Sequence, residues 1–394
     1  MKIYLFPFLM NLVGFMLIMH INDQAGRTHL SDMQLSILMG VQALVYMLSC
    51  SLAGRILRRS NARGILIAST IFMAVACMPA YLFTELPVLL VLLGGVGIAG
   101  AFFSNSFQTF MRADSPPGSL AASIGKYNFS WGSGIAMGFL LSGTIEDLLG
   151  RYCLAALSTA ACMAILVMTI MHRQRRCTEV SADGHVESSP HGARPVDRRY
   201  VLVGWSMIFM ACFIQRPLQT FIPKLSAQTG NGAVVAGTMI FCLMIAQSLA
   251  SLLGHRMRGL LYRRTWVVVS NIIIVAGLGL LWLAGNAPLA SMAIMLPLGC
   301  VFSFLFFSSI YYVSNDWASS RNVGVNEALV GLANVAAPFA CEPVMRIFGW
   351  SEGFYPVTIA AVFVMLVVQM AWLSFGKPMT APTPTEPAFA LSEV

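Results

Sequence analysis

Twelve long apolar runs divide this sequence, and they limit the fold more than any other feature. Each run is close to the ~20 residues that a helix needs to cross the hydrocarbon core of a bilayer. Lipid offers the backbone no hydrogen-bond partner, and the runs exceed the length of a barrel strand, so helices are expected. The sequence predicts an all-α membrane protein with twelve transmembrane helices, at residues 3–22, 34–57, 64–84, 87–111, 123–147, 151–172, 200–223, 232–254, 265–285, 288–313, 323–346 and 353–375.

The composition also indicates a lipid environment. Hydrophobic residues make up 57% of the 394 residues, and charged residues make up only 10%. Soluble domains carry about 25% charged residues, so a soluble fold of this length could not cover its core. The nine cysteines form no CxxC pair, and we expect no metal site and no cofactor.

Lysine and arginine residues are distributed unevenly between the two sides of the predicted membrane. With the N-terminus in the cytoplasm, nineteen of them lie on the cytoplasmic side, four lie outside, and Arg216 lies within a span, which accounts for all 24. The positive-inside rule therefore predicts a multi-pass protein of the cell inner (plasma) membrane with both termini in the cytoplasm. This topology explains the net charge of +8, so the charge gives no reason to expect nucleic acid as a partner.

Two polar segments separate the spans into bundles. Residues 173–199 show no apolar period, and we expect a flexible cytoplasmic linker there. The proline-rich residues 377–394 are predicted to form a disordered cytoplasmic tail. The remaining residues give two six-helix bundles, 1–172 and 200–376.

A repeated basic turn supports this division. The sequence "SLAGRILRRSNAR" at 51–63 recurs as "SLLGHRMRGLLYR" at 251–263, after the second span of each bundle. Parallel repeats of six spans are typical of transporters that bind their solute near the midplane between the repeats. The repeat therefore indicates a transporter.

The first copy of this turn resembles a motif of the major facilitator superfamily, and the resemblance covers residues 1–376. That family typically has G-x-x-x-D-[RK]-x-G-[RK]-[RK] in this loop. Here Gly54 is followed by Arg58 at the position of the acid, and then by Arg59 and Arg63. In the family the motif latches the two halves together. The resemblance therefore implies a gating role for these four residues, with an arginine in place of the acid.

Two acidic residues in the eleventh span are further candidates, because ionisable groups inside a membrane are costly and mark functional sites. Glu327 is the candidate partner of Arg58 across the halves in the outward-open state, with the two charges exchanged. Alternatively, Glu327 stabilises the N-terminus of its helix through the helix dipole. Glu342 is a candidate for proton coupling, and the alternative is a structural pair with Arg216 or Arg346.

The fifth span carries a glycine series similar to that of the exporter branch of the superfamily, G-x8-G-x3-G-P-x2-G-G. Phe139 replaces the proline and Ser142 replaces one glycine, while the other four positions match. The match favours export. The alternative is ordinary helix packing, because small residues let membrane helices approach closely. The four matching residues are Gly125, Gly134, Gly138 and Gly143.

The resemblance also implies that the first, fourth, seventh and tenth helices line a central cavity. In this sequence those helices carry few charges and many amides and hydroxyls, which suits a small polar or amphipathic solute. Arg216 is the candidate for holding an anionic or carbonyl group of the solute; alternatively, it reaches the outer interface or pairs with Glu342. The candidate substrate-binding residues are Asn11, Asn105, Gln108, Gln215, Arg216, Gln219, Ser308 and Tyr311.

The sequence contains no Walker loop, no HExxH motif and no nucleophile elbow. We therefore expect neither an enzyme nor a pump driven by ATP. The prediction is a secondary active transporter of a small solute that works by alternating access, and export coupled to a proton gradient is favoured. The alternatives are an uptake symporter and a membrane sensor that keeps the fold and transports nothing. The expected partners are the solute and the lipid bilayer, and we expect a monomer.

Overall fold

The structure is built from helices. This computed structural model describes residues 2–28, 30–58, 60–114, 120–172, 199–254, 256–285, 287–314, 319–348 and 352–375. Arg59, nearly all of the predicted linker and the whole predicted tail lie outside these residues. Within them the chain forms α-helices and two short 3₁₀ turns, with no strand, which confirms the predicted all-α fold class.

Twelve α-helices are found in the described part of the chain, and each overlaps one of the predicted spans. They are α1 (Leu5–Arg27), α2 (Asp32–Ile56), α3 (Ala62–Ala80), α4 (Leu86–Asp114), α5 (Leu120–Leu149), α6 (Arg151–Met171), α7 (Arg199–Thr229), α8 (Gly232–Leu252), α9 (Arg264–Ala284), α10 (Pro288–Ser314), α11 (Ser319–Phe348) and α12 (Phe354–Phe375).

Eleven of these helices are long and apolar enough to cross a membrane, as judged from length and composition within the described residues. The exception is α5, in which serine, glycine, asparagine and threonine residues dilute the apolar ones. Its main packing partners are α1 on one side and α8 on the other. Because protein covers much of its surface, α5 needs less apolar surface than a helix that faces lipid.

Three helix pairs make most of the contacts between the first six helices, the N half, and the last six helices, the C half. These pairs are α5 with α8, α2 with α11, and α1 with α7. α3 packs against α4 and α6, and α9 packs against α10 and α12, so these helices lie at the outside of their halves. α1 and α7 are consequently at the centre of the molecule, with other helices around them.

α1 and α7 continue beyond the predicted ends of their spans, and α7 contains two prolines without a break. Pro223 has no N–H group, which leaves the carbonyl of Gln219, four residues earlier, without its helical donor. The side-chain amide of Asn22 on α1 donates to that carbonyl oxygen at 3.0 Å. A side chain of the N half thus replaces the hydrogen bond that proline removes from the C half, and it ties the two central helices together.

The repeated basic turn has a structural function in both halves. The guanidinium of Arg63, at the start of α3, donates to the carbonyl oxygen of Ile170 at the end of α6, at 2.6 Å. In the C half, Arg264, which directly follows the second copy of the turn at the start of α9, donates to the carbonyl oxygen of Leu373 near the end of α12. The last carbonyls of a helix have no helical donor, so a cation at this position is favourable. An arginine at the end of the turn or directly after it therefore fastens the third helix of each half to the sixth.

The glycine series of α5 lies where the backbones of neighbouring helices approach α5 closely. A methyl group added at Gly134 would lie 2.2 Å from the carbonyl oxygen of Phe8, and one added at Gly138 would lie 2.9 Å from that of Leu12, both on α1. Gly125 and Gly143 make equally close approaches to backbone oxygens of α8. Two glycines thus pack α5 within the N half, and two pack it across the halves. This geometry accounts for the series as close helix packing, whatever the direction of transport.

Candidate functional site

Partly exposed side chains on the two central helices mark a cleft that opens at one end. On α1 they include Phe8, Asn11 and Phe15, whereas every residue from 16 to 23 is buried. Beyond the first residue of α7, the partly exposed side chains are those of Leu202, Trp205 and Phe209, whereas every residue from 210 to 224 is buried. The cleft therefore opens where α1 and α7 begin, which we call the open end. The opposite, closed end is where these two helices finish.

A buried lysine fastens the closed end. Lys224 on α7 is only 4% exposed, and its ammonium donates to the carbonyl oxygen of Leu30 at 2.6 Å and to the carboxylate of Asp32 at 2.7 Å. These acceptors belong to the loop before α2 and to the first residue of α2. Gly26 on α1 lets the backbone of α7 approach at the same level. The Lys224 clamp therefore joins the halves at the closed end.

Lys224→Met is expected to open the closed end more often, because methionine keeps most of the side-chain length but loses both polar contacts. A loss of about 1.4 kcal/mol from the closed arrangement is a tenfold change in equilibrium. A cysteine introduced at the buried Ala25, in a chain without its native cysteines, should then react about tenfold faster with a small thiol reagent. Lys224→Arg, which keeps the charge, is the matched control. Equal labelling rates in Lys224→Met and the parent would contradict the clamp.

Glu327 on α11 is the acceptor of a polar network between the halves. Its carboxylate accepts a hydrogen bond from the hydroxyl of Tyr46 on α2 at 2.7 Å and one from the amide of Gln108 on α4 at 3.0 Å. The Gln108 amide also donates to the hydroxyl of Tyr127 on α5 at 3.4 Å. Glu327 is half-buried, and among the residues that the structure describes no cation pairs with it. The network therefore surrounds a carboxylate with neutral groups only.

The structure bears on both sequence interpretations of Glu327. α11 begins at Ser319, so Glu327 lies eight residues, or about two turns, inside the helix. The helix dipole acts within the first turn, and the dipole interpretation is therefore wrong. No ion pair joins Arg58 to Glu327 in this conformation. The backbone N–H of Arg58 donates to the side-chain oxygen of Asn61 at 2.7 Å. The latch between Arg58 and Glu327 in an outward-open state stays a prediction.

The environment of Arg216 matches neither of the two structural alternatives, which were a position at the outer interface and a pair with Glu342. Arg216 is 3% exposed, and its guanidinium donates to the side-chain oxygen of Gln42 at 2.8 Å and to the carbonyl oxygen of Met39 at 3.3 Å, both on α2. It neither reaches the outer interface nor pairs with Glu342, because helices surround α7 at this level. Glu342 pairs instead with Arg346, at 3.7 Å, as one alternative predicted.

The two glutamines beside Arg216 face a different helix. The Gln215 amide donates to the side chain of Gln247 on α8 at 2.6 Å, and Gln219 contacts the sulfur of Met244, also on α8, at 3.7 Å. Residues four apart share a helix face and their neighbour does not. Gln215 and Gln219 are therefore part of the contact between α7 and α8, while Arg216 points to α2.

The remaining sequence candidates are only partly brought together. The amides of Asn11 and Asn105 each donate to a carbonyl one turn earlier, of Pro7 and Ala101, at 2.8 Å. Ser308 is fully buried. Tyr311 is half-buried and stacks on Phe307 with ring centroids 5.9 Å apart. Of these, Asn11 lies on the exposed stripe of the cleft.

A charged cluster holds α1 against α5 near the closed end, away from the cleft. His20 Nδ1 lies 2.9 Å from Glu146 Oε1, and the Gln24 amide donates to the same oxygen at 2.8 Å. Arg27 pairs with the buried Asp23 one turn earlier on α1. The cluster lies within the N half, so its contacts stabilise that half.

Sequence reasoning missed the polar residues of α2. Gln42 and Tyr46 are one turn apart and bind Arg216 and Glu327, respectively. On the helix they lie opposite Leu44 and Leu48, which are exposed as lipid-facing residues should be. A helical projection of the second span would have shown this polar face, because polar residues opposite an apolar stripe point into the protein.

Comparisons with known proteins agree with this architecture. The crystal structure of the human organic anion transporter MFSD10 (TETRAN) is similar, with a TM-score of 0.65 and 12% identity over 93% of this chain and 98% of that one. A bacterial homolog of the human lysosomal transporter Spinster, solved inward-facing and unoccupied, gives a TM-score of 0.59 and 15% identity over 94% and 95%. At these identities the likeness establishes the fold alone.

No curated protein matches the sequence. The family model described as Major Facilitator Superfamily matches residues 3–340, which is nearly the whole chain. Members of that family are transporters rather than enzymes, and they carry small solutes across a lipid bilayer. This protein therefore belongs to the Major Facilitator Superfamily.

Proposed function

We propose that this protein is a proton-coupled secondary transporter of a small solute, working as a monomer by alternating access, and that Glu327 carries the coupling proton. One observation supports this most. The Glu327 carboxylate lies between the halves, half-buried, with only the neutral groups of Tyr46 and Gln108 bonded to it.

Protonation of a carboxylate in this position changes its hydrogen bonds. An ionised group inside a membrane protein is costly unless it is paired, and it lowers this cost by binding a proton. The ionised carboxylate accepts hydrogen bonds from both Tyr46 and Gln108, whereas the protonated one has less acceptor capacity. Binding or loss of the proton therefore changes the strength of the contact between α11 and the N half. That contact must change when the halves move, so proton binding is linked to conformation.

The proposed orientation places both termini in the cytoplasm and the protein in the cell inner (plasma) membrane. It rests on the uneven distribution of lysine and arginine. In this orientation the cleft opens to the cytoplasm, and the Lys224 clamp closes the outer side. The conformation described here is then inward-facing.

Two directions of transport are compatible with a proton on Glu327. Export by antiport is supported by the likeness of the α5 glycine series to that of exporters. Uptake by symport is supported by a second buried charge, that of Arg216, which has no acidic partner among the described residues. A cationic cleft favours an anionic solute, and a proton that is carried with the anion balances its charge. A sensor with the same fold would move neither solute nor proton.

Reconstitution in liposomes that contain a pH-sensitive dye tests this function. Solutes are first selected because they stabilise the purified protein, as a ligand of the native state must. We expect a gradient of at least one such solute to move protons in protein-containing liposomes and not in empty ones. Proton movement opposite to the solute indicates antiport, and movement with the solute indicates symport. If no stabilising solute moves protons, the proposed coupling is wrong.

A further inference from the structure

Arg216 has the properties of a binding group without its ligand. Its side chain is buried, and its Nε has no hydrogen-bond partner. The other contacts of the guanidinium are the neutral Gln42 amide and the backbone and sulfur of Met39. In the described part of the chain no carboxylate neutralises this charge. A buried charge without a partner is strongly destabilising, so an anion that reached this guanidinium would be bound favourably.

The residues of α7 between the open end and Arg216 form an apolar wall. At about 100° per residue, Trp205, Phe209 and Arg216 lie within about 40° of one another on the helix surface. Trp205 and Phe209 are two of the partly exposed residues of the cleft, and Phe209 stacks on Phe213 with ring centroids 5.8 Å apart. One face of α7 therefore leads from flat apolar rings at the open end to a guanidinium at the closed end.

A second unpaired donor lies on the same face. The indole N–H of Trp205 is buried and has no acceptor. Two N–H donors without acceptors, one at each end of an aromatic wall, fit a ligand that supplies acceptor atoms. A carboxylate is the better match for Arg216, because it accepts two parallel bonds where the Gln42 amide oxygen accepts one.

We propose that the cleft binds an organic anion, with its anionic group on Arg216 and its flat apolar body against Trp205 and Phe209, together with a proton on Glu327. The part of this proposal that places a proton on Glu327 rests on the proposed function. The described titratable groups around Glu327 are Tyr46 and Cys50 on α2, Tyr127 on α5 and Cys212 on α7; of these, Cys212 also interacts with Arg216.

All four of these groups are ordinarily neutral at neutral pH. Arg216 and Glu327, which both interact with Cys212, are therefore the charged members of this group of side chains. When Glu327 is ionised, the two charges cancel and an anion adds a net negative charge. When Glu327 is protonated, the charge of Arg216 is left over, and the anion neutralises it. Anion and proton consequently bind more tightly together than separately, which is the linkage that symport requires.

Binding to the purified full-length protein tests this proposal. The probes are benzoate, naphthoate and indole acetate, each compared with its neutral amide. We expect at least one of these anions to stabilise the protein against heat and to change its tryptophan fluorescence, while its amide does neither. Arg216→Lys keeps the charge but loses the planar fork, so the affinity should fall about tenfold. Arg216→Gln should abolish binding, and Arg55→Gln, at an exposed arginine of α2, is the matched control.

The dependence of anion binding on pH tests the joint binding of anion and proton. The affinity of the parent protein for the anion should rise as the pH falls, and Glu327→Gln should bind tightly at every pH. Melting curves without ligand verify that each variant folds.

The possible failures are distinguishable. Undiminished binding in Arg216→Gln, equal binding of the amide, or no binding by any probe overturns the anion site, and proton movement in liposomes would still support the proposed function. Binding through Arg216 that does not vary with pH overturns the joint binding of anion and proton.

Discussion

Glu327→Gln is expected to abolish proton-driven accumulation of the solute while solute exchange without a gradient continues. Glutamine has nearly the shape of glutamate but cannot release or bind a proton near neutral pH. One of its terminal atoms still accepts a hydrogen bond, so much of the contact with Tyr46 and Gln108 is kept. Accumulation driven by a pH gradient in liposomes should fall by at least about tenfold, and exchange should change far less.

Glu342→Gln is the matched control for this experiment. Glu342 lies on the same helix and is buried, but it pairs with Arg346. Its charge is therefore compensated, and its loss should leave coupling nearly unchanged. Normal accumulation in Glu327→Gln together with lost accumulation in Glu342→Gln would make Glu342 the carrier, as the sequence alone had suggested.

The positions of the helices could be predicted because the bilayer imposes their length. Each apolar run had to become a helix, and the structure differs mainly where helices leave the predicted spans. α7 runs to Thr229 through Pro223, where a sequence-based reading expects an end. The hydrogen bond that makes this continuation favourable comes from Asn22, almost two hundred residues earlier. A local pattern cannot contain such a contact.

The candidate site shows the same limit. The sequence identified Glu327 and Arg216 because charges inside a span are rare. A helical projection could have placed Tyr46 and Gln42 on an inward polar face, but it could not identify their partners, which depend on which helices are neighbours. Both residues act across the contacts that α2 makes with the C half. Residue chemistry was therefore predictable, and the choice of partner was not.

The glycine series of α5 allows a test of packing that is independent of transport. Gly134→Ala is expected to destabilise the protein strongly, because the new methyl group would lie 2.2 Å from the Phe8 carbonyl oxygen. The obstacle is backbone, which cannot rotate away as a side chain can. Overpacking of a well-packed interior typically costs about 1–3 kcal/mol, and occasionally more. The melting temperature of the purified protein and its yield as a single species measure the effect.

Gly279→Ala on α9 is the control, because nothing lies within 4 Å of the added methyl group there. Alanine favours a helix interior over glycine by about 0.5–1 kcal/mol, so this variant should melt at the same temperature or slightly higher. The contrast between the two substitutions isolates close backbone approach from helix propensity. If Gly134→Ala melts as the parent does, α5 and α1 are farther apart than described here. The shape of the cleft between α1 and α7 would then also differ from the one described, because α1 is positioned by its contact with α5.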